Sequence, residues 1–368
     1  MATCSPRAGV SEASMAGVGR PASASERAHV LARNPMVWGA TWSRPTRRGS
    51  TTLSAVDAQG SRTDRMVPTG RLRSGRPAAL VESLLMGLRP RSTDPFRGAV
   101  AVVTGASSGI GAATARELAR RGAVIFAVAR RPERLDETVR ACDRVAPSTA
   151  PAGSHVTYPA DVGSKEVCQS VISVAQERFG KVDILVNNAG VSLHGDVATL
   201  GAEDIERVMA VNFFAPVYLT LAALPGMLER GRGSVVNIGS VAAVVPNSGE
   251  AAYGASKAGL ARWSHGLSVE LHGTGVHVGM LHPGPIDTDI WNTAGELGHP
   301  GRLYPPDVVA RGVTRMIERR LVHLTVPRRF GTVGVLYPVL GAPVRWGLRR
   351  YDRQIRARAQ GPGTGDPG

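Results

Sequence analysis

The sequence predicts an α/β domain built on a doubly wound parallel sheet, and three observations predict it. From Phe96 onward, short apolar, β-branched runs alternate with longer helix-forming stretches. Several runs are apolar without alternation (Ile184-Leu185-Val186, Val235-Val236-Asn237-Ile238), as strands covered on both faces should be. A glycine-rich turn, Thr104-Gly105-Ala106-Ser107-Ser108-Gly109-Ile110-Gly111, joins the first run to the first helical stretch.

Taken in order, residues 1–95 are rich in Ala, Gly, Ser, Pro, Thr and Arg without a sustained period, and read as a disordered extension. One apolar patch, 78–88, suits a docking helix, and Met66 and Met86 are alternative starts. The domain proper covers 96–327. Strands are expected at 99–104, 123–129, 155–160, 182–187, 233–239, 276–282 and 321–326. Helices are expected near 109–121, 132–145, 164–179, 202–230, 250–272 and 305–319. A tail follows at 328–368, apolar and then basic. Its stretch from Phe330 to Trp346 is broken by Pro338 and Pro343 and bracketed by Arg328-Arg329 and by Arg345 and Arg349-Arg350. Residues 330–350 could touch a membrane surface, cover the domain's own entrance or form an oligomer contact.

Charge is unevenly placed. Residues 1–95 carry 14 Arg and 6 acids, residues 319–368 carry 10 Arg and 2 acids, and the middle carries 20 basic and 21 acidic residues. The formal net charge of +15 therefore belongs to the ends. A basic globular nucleic-acid binder is excluded, and no specific nucleic acid is expected. The ends read as solvated, with polyanion or lipid association as the rival. With 3 Lys against 41 Arg, each Lys is informative. Cys4, Cys142 and Cys168 make neither an even set nor a metal-ligand spacing, which fits a reducing, cytoplasmic compartment and no metal. No run of about 18 apolar residues is present. The N-terminus lacks a secretory pattern, and its Arg- and Ser-rich likeness to a transit peptide follows from composition.

Strand, glycine turn, helix is the geometry of a nucleotide pyrophosphate site. Glycine lets the backbone approach a phosphate, and the helix start offers N–H groups and partial positive charge. The second strand ends Val128-Ala129-Arg130-Arg131, with no acid before Glu133. An acid there would bind ribose hydroxyls, whereas Arg suits a 2′-phosphate, so Arg130 favours NADP over NAD. Asp161-Val162 follows the third strand and Asn187-Asn188-Ala189-Gly190 the fourth. The sharpest feature is Tyr253-Gly254-Ala255-Ser256-Lys257, with Ser240 upstream. Positions i and i+4 share one helical face. An ammonium beside a phenol lowers its pKa from about 10, and a Ser hydroxyl can hold an oxygen on which charge changes. Together they suit proton exchange with a carbonyl/alcohol pair. The Tyr-x-x-x-Lys spacing is expected by chance only about 0.05 times in such a chain.

These motifs, in this order, resemble the short-chain dehydrogenase/reductase family over roughly 96–327: Thr104-Gly105, Gly109 and Gly111, Asp161, Asn187 to Gly190, Asn212, Ser240, Tyr253 with Lys257, and Pro283-Gly284 with Thr288. The resemblance implies a Rossmann fold and an NADP(H)-preferring oxidoreductase, with Tyr253 as acid/base. It implies that Lys257 tunes Tyr253 and binds the nicotinamide ribose, that Ser240 positions substrate, and that Asn212 holds a water. The cofactor would lie against Gly105, Ser107, Ser108, Gly109, Ile110, Gly111, Arg130, Asp161, Val162, Asn188, Ala189, Gly190, Pro283, Gly284, Ile286 and Thr288. Family members form dimers or tetramers through the helices carrying Asn212 and Tyr253. Residues 288–304 fall where a substrate lid is placed. Expected pocket walls are Val191, Leu193, Ala242, Val245, Asn247, Pro285 and Trp291, which suit a small hydrophobic carbonyl or alcohol. The rival readings are a non-catalytic dinucleotide sensor on the same fold, which would have no need of the proton-handling residues, and a lipid- or nucleic-acid-binding protein acting through its basic ends.

Overall fold

The computed structural model describes residues 51–56, 62–67, 94–148, 154–193, 200–247, 249–289 and 302–359. Two units are present. In the first, β1 (Thr51–Val56) pairs antiparallel with β2 (Arg62–Val67), Thr51 opposite Val67. The sequence shows no period there that would reveal this pair. The rest of 1–93, including the patch at 78–88, lies outside the described residues.

The second unit holds seven parallel strands: β3 (Val100–Thr104), β4 (Val124–Ala129), β5 (Val156–Pro159), β6 (Ile184–Asn187), β7 (Gly233–Ile238), β8 (Val276–Pro283) and β9 (His323–Val326). Their spatial order is β5-β4-β3-β6-β7-β8-β9. All seven expected strands are present. Strand residues alternate between two cores. Ala101, Val103, Ile125 and Val186 pack with α1 (Gly109–Arg120), α2 (Pro132–Val145) and α7 (Asp307–Arg319). Val102, Phe126, Leu185 and Val235 pack on the other face with α3 (Lys165–Phe179), α5 (Ala215–Glu229) and α6 (Ala251–Glu270). Both faces are covered, which is why the strands read as continuous apolar runs. The chain reverses its winding between β3 and β6, and this opens a crevice at the carboxyl ends of the strands.

One expectation needs correction. The single helix expected at 202–230 is α4 (Ala202–Met209), a π turn (Ala210–Phe214) and α5. Pro216 has no N–H for the carbonyl four residues back, and the Ala215 N–H bonds Ala210 O instead. The run Ala202–Glu229, which includes an 18-residue stretch of mean hydropathy 1.7, is also long and apolar enough to cross a membrane. It is a core helix here, burying Leu219, Ala223 and Met227 against the sheet. In the tail, for which the sequence sets no element, residues Gly331–Ala359 form a long helix, α8, bent where Leu340 leaves helical geometry (φ −104, ψ 24). Pro343 lies three residues beyond the bend, and proline both removes a helical bond and crowds the preceding turn.

Candidate active site

The chain leaves β3 at Thr104 and turns through Gly105 (φ 65) and Gly109 (φ 53) into α1. A Cβ at Gly109 would lie 2.8 Å from Thr288 Cγ2, and one at Gly105 2.8 Å from Asn188 Nδ2. The turn is fastened from below. Thr104 Oγ1 accepts the N–H groups of Asn188 (3.0 Å) and Ala189 (3.1 Å), and Asn188 Nδ2 donates to Thr104 O at 2.9 Å. Thr104 is thus a structural member of the site that its residue type alone does not mark. No side chain caps the start of α1, so its N–H groups face the crevice.

A cleft of about 570 Å³ opens there. Gly105, Ser107, Ser108, Gly109 and Ile110 line one side, and Asn188, Ala189, Gly190, Val191 and Leu193 the other. Arg130, Asp161, Val162, Thr288, Tyr253 and Lys257 also line it, as do Asp204 and Arg207 of α4. Arg130 pairs with Asp161 at 3.9 Å. Its neighbour Arg131, which the sequence alone does not single out, donates to Ser107 Oγ (3.3 Å) and Ser108 Oγ (3.2 Å) and faces Asp289 at 3.6 Å. A turn with glycine at its two closest approaches, a helix start and two guanidinium groups at the end of β4 fit a dinucleotide with its phosphates.

At the far end, Tyr253 and Lys257 project from one face of α6. Ser240 follows β7 and starts a 3-10 turn, Val241–Ala243, its Oγ accepting from Ala242 N at 3.1 Å. Burial pushes the Tyr253 phenol up to about 12; the Ser240 hydroxyl beside it opposes this and the Glu250 charge adds to it. Burial also lowers Lys257 to about 8. The expected downward pull of Lys257 on Tyr253 does not prevail. The ammonium donates to Ile238 O at 3.0 Å and stands 5.9 Å from the centre of the Tyr253 ring, and desolvation disfavours the charged form of both groups. At neutral pH Tyr253 is a protonated phenol, a proton donor half-buried at the inner end of the cleft.

Asn212 is fully buried in the π turn. Its Nδ2 donates to Val191 O (2.9 Å) and Ser256 Oγ (3.0 Å), and its Oδ1 accepts from Val191 N (2.8 Å). The side chain braces the loop after β6 against α6. Gly111 stands behind the cradle rather than in it, against Gly105 O. Pro283 ends β8, and the Phe330 ring lies where a side chain on Gly284 would go. Pro285 O accepts from Tyr304 N, and Ile286 is buried in the core beside Tyr304. Among the expected walls, Ala242 is buried in the 3-10 turn and Asn247 donates to Glu250 Oε2 at 2.6 Å. Val245 faces a second cavity of about 200 Å³, shared with Val241, Val244, His282, His323 and Phe330, rather than the cleft. Trp291 and most of the expected lid lie outside the described residues.

His282 stands under Ser240: its Nδ1 donates to Ser240 O at 2.8 Å, and its ring lies 4.9 Å from that of His323. His277 Nε2 bonds Leu321 O at 3.0 Å. Burial lowers both His277 and His282 from 6.5 to about 4. The unfolded chain therefore binds protons first as pH falls. Their stabilising contribution is complete above about pH 6.5 and is lost as pH drops toward 4. Each is expected to remove on the order of 3 kcal/mol across that window. Urea midpoints measured from pH 7 downward should fall accordingly, and His282→Asn should flatten part of the decline. A flat wild-type profile would refute this.

A sequence model described as short chain dehydrogenase matches residues 99–297, more than half of the chain. The ketoacyl reductase HetN of Nostoc sp. is 32% identical over 231 residues, which are 62% of this chain and 78% of that protein. A metagenomic short-chain oxidoreductase solved in complex with NADP aligns with a TM-score of 0.54 at 30% identity, covering 63% of this chain and 98% of its own. The 3-ketoacyl-(acyl-carrier-protein) reductase from Brucella melitensis, complexed with NADH, aligns with a TM-score of 0.57 at 25% identity, over 63% of this chain and 97% of its own.

Proposed function

The chain belongs to the short chain dehydrogenase family of NAD(P)-dependent oxidoreductases, and from that premise we propose that it prefers NADP(H) and interconverts a small apolar ketone or aldehyde with its alcohol. The observation that carries this reading is the grouping of Ser240 and Tyr253, both half-buried, with the buried Lys257 at the inner end of a dinucleotide cleft. The bound cofactor supplies or removes the hydride. In reduction, Tyr253 donates its proton to the substrate oxygen, and Ser240 holds that oxygen in line with the phenol. Lys257 steadies the charge left on Tyr253, and Asn212 keeps Val191 and α6 in register. Val191 and Leu193 give the cleft an apolar wall, which supports an apolar substrate. Exposed Phe214, Leu221 and Val269, on the run that carries Asn212 and on the helix that carries Tyr253, support a homodimer or homotetramer. The direct test is turnover of ketones, aldehydes and secondary alcohols with NADPH and with NADH, using Tyr253→Phe as control. Turnover equal in wild type and control would refute the reading.

Arg130 and Arg131 support the preference for NADP, because no acid stands at the end of β4 to receive ribose hydroxyls. Losing a hydrogen bond from a charged partner removes roughly 1.5–3 kcal/mol. Arg130→Asp should therefore weaken NADPH binding about tenfold or more while NADH binding changes little. Equal weakening of both, measured by fluorescence titration, would undo the assignment.

A further inference from the structure

The feature the proposed chemistry leaves unused is α8. Its root is fixed: Phe330 packs over Gly284 and edge-on to Tyr304, and Gly331 meets Thr325 of β9. Beyond the root, the helix has two unlike halves. Gly331 to Val344 contains no Asp, Glu, Lys or Arg. From Arg345 to Ala359 there are six Arg and one acid, Asp352. Past the bend at Leu340, Gly341, Val344 and Leu348 follow one another at helical spacing and are half-covered. The opposite side carries Ala342, Trp346, Arg349, Arg350 and Arg353, all exposed. Trp346 is 62% exposed, and the Arg350 guanidinium stands 5.9 Å from its ring centre. Leu340 is 43% exposed.

An exposed Trp beside Arg350, with Arg349 and Arg353 exposed on the same side of the helix and an uncharged helical stretch before it, matches one solvent boundary better than others. Indole rings settle between hydrocarbon and headgroups, and guanidinium groups at the same depth meet lipid phosphates. We infer that α8 is a peripheral docking element for an anionic phospholipid bilayer, with Trp346 and Leu340 entering the interface and Arg345, Arg349, Arg350 and Arg353 on the headgroups. A nucleic acid would match the Arg but not the uncharged half. A second copy of the chain offers no charge complement, because residues 96–318 are nearly neutral (20 basic, 21 acidic).

The test is flotation of the full chain with phosphatidylglycerol vesicles and with phosphatidylcholine vesicles. Wild type should float with the first and far less with the second, and added salt should weaken the association. Each basic residue at an anionic surface is worth about a factor of five, so replacing Arg345, Arg349, Arg350 and Arg353 by Gln should lower partitioning at least about a hundredfold. Trp346→Asp, which leaves every Arg in place, should also lower it. NADPH binding should stay unchanged in both variants and reports that they fold. No wild-type flotation, or flotation untouched in both variants, would overturn the inference. So would retention of an RNA homopolymer without vesicle binding, or a change confined to the sedimentation coefficient of the protein.

Discussion

Tyr253→Phe is expected to lower kcat by a factor of about 10²–10⁴, the range supplied by a positioned general acid, while leaving NADPH binding intact. The substitution removes one oxygen from a packed ring, so the protein should fold normally. The effect should fall on kcat because the phenol proton moves only during reaction. Lys257→Met should be worse in one respect, since Lys257 also lines the dinucleotide cleft and its loss should weaken cofactor binding too. The pH profile separates the two groups. Tyr253 is pushed up to about 12, so the proton donor persists throughout the working range. Lys257 is lowered to about 8, so its ammonium form, present below that value, is lost as pH rises through it. For the free enzyme, kcat/KM of carbonyl reduction should decline above about pH 8, and Lys257→Arg should move the decline upward. A profile level to pH 10 would show that the charge on Lys257 is not needed.

Most of the fold was legible because its strands are buried on both faces and punctuated by turns at the ends of helices. Ile184-Leu185-Val186 could hardly be anything but a central strand, and the glycines at 105, 109 and 111 announce the crevice. What escaped has a physical reason in each case. Two prolines in the tail argue against a helix, yet α8 absorbs them with one bend at Leu340. The π turn at Ala210–Phe214 lies inside a continuous apolar pattern that no period resolves. Arg131 acts through its bonds to Ser107 and Ser108, partners that only the fold brings near. Residue types marked Tyr253 and Lys257 as a pair, but whether the ammonium or the burial governs the phenol depends on how dry the pocket is, which sequence does not carry. Val245 is apolar and close in sequence to Ser240, which suits a substrate wall. The 3-10 turn at Val241–Ala243 redirects the chain between them, and Val245 lies toward the His282 cavity instead.

A single methyl group at position 111 should undo the cradle. A Cβ there would stand 2.1 Å from Gly105 O, 2.7 Å from Gly105 C and 2.6 Å from Asn188 Nδ2, so backbone must move. Gly105 cannot easily yield. Its φ of 65 belongs to the left-handed region, and its own Cβ position is closed by Ala189 Cα at 2.9 Å. The shift would pass to Thr104 and Asn188, which tie β3 to β6. Gly111→Ala is therefore expected to destabilise the protein by about 3 kcal/mol, at the upper end for an overpacked site, and to abolish measurable NADPH binding. Gly266, inside α6, has nothing within 4 Å of its Cβ position. Gly266→Ala should stabilise the protein by about 0.5–1 kcal/mol through helix propensity alone and leave binding unchanged. Urea unfolding and NADPH titration of the two variants distinguish a glycine required by close approach from one that is merely tolerated. Wild-type stability and binding in Gly111→Ala would mean that the turn is not held as tightly as its contacts imply.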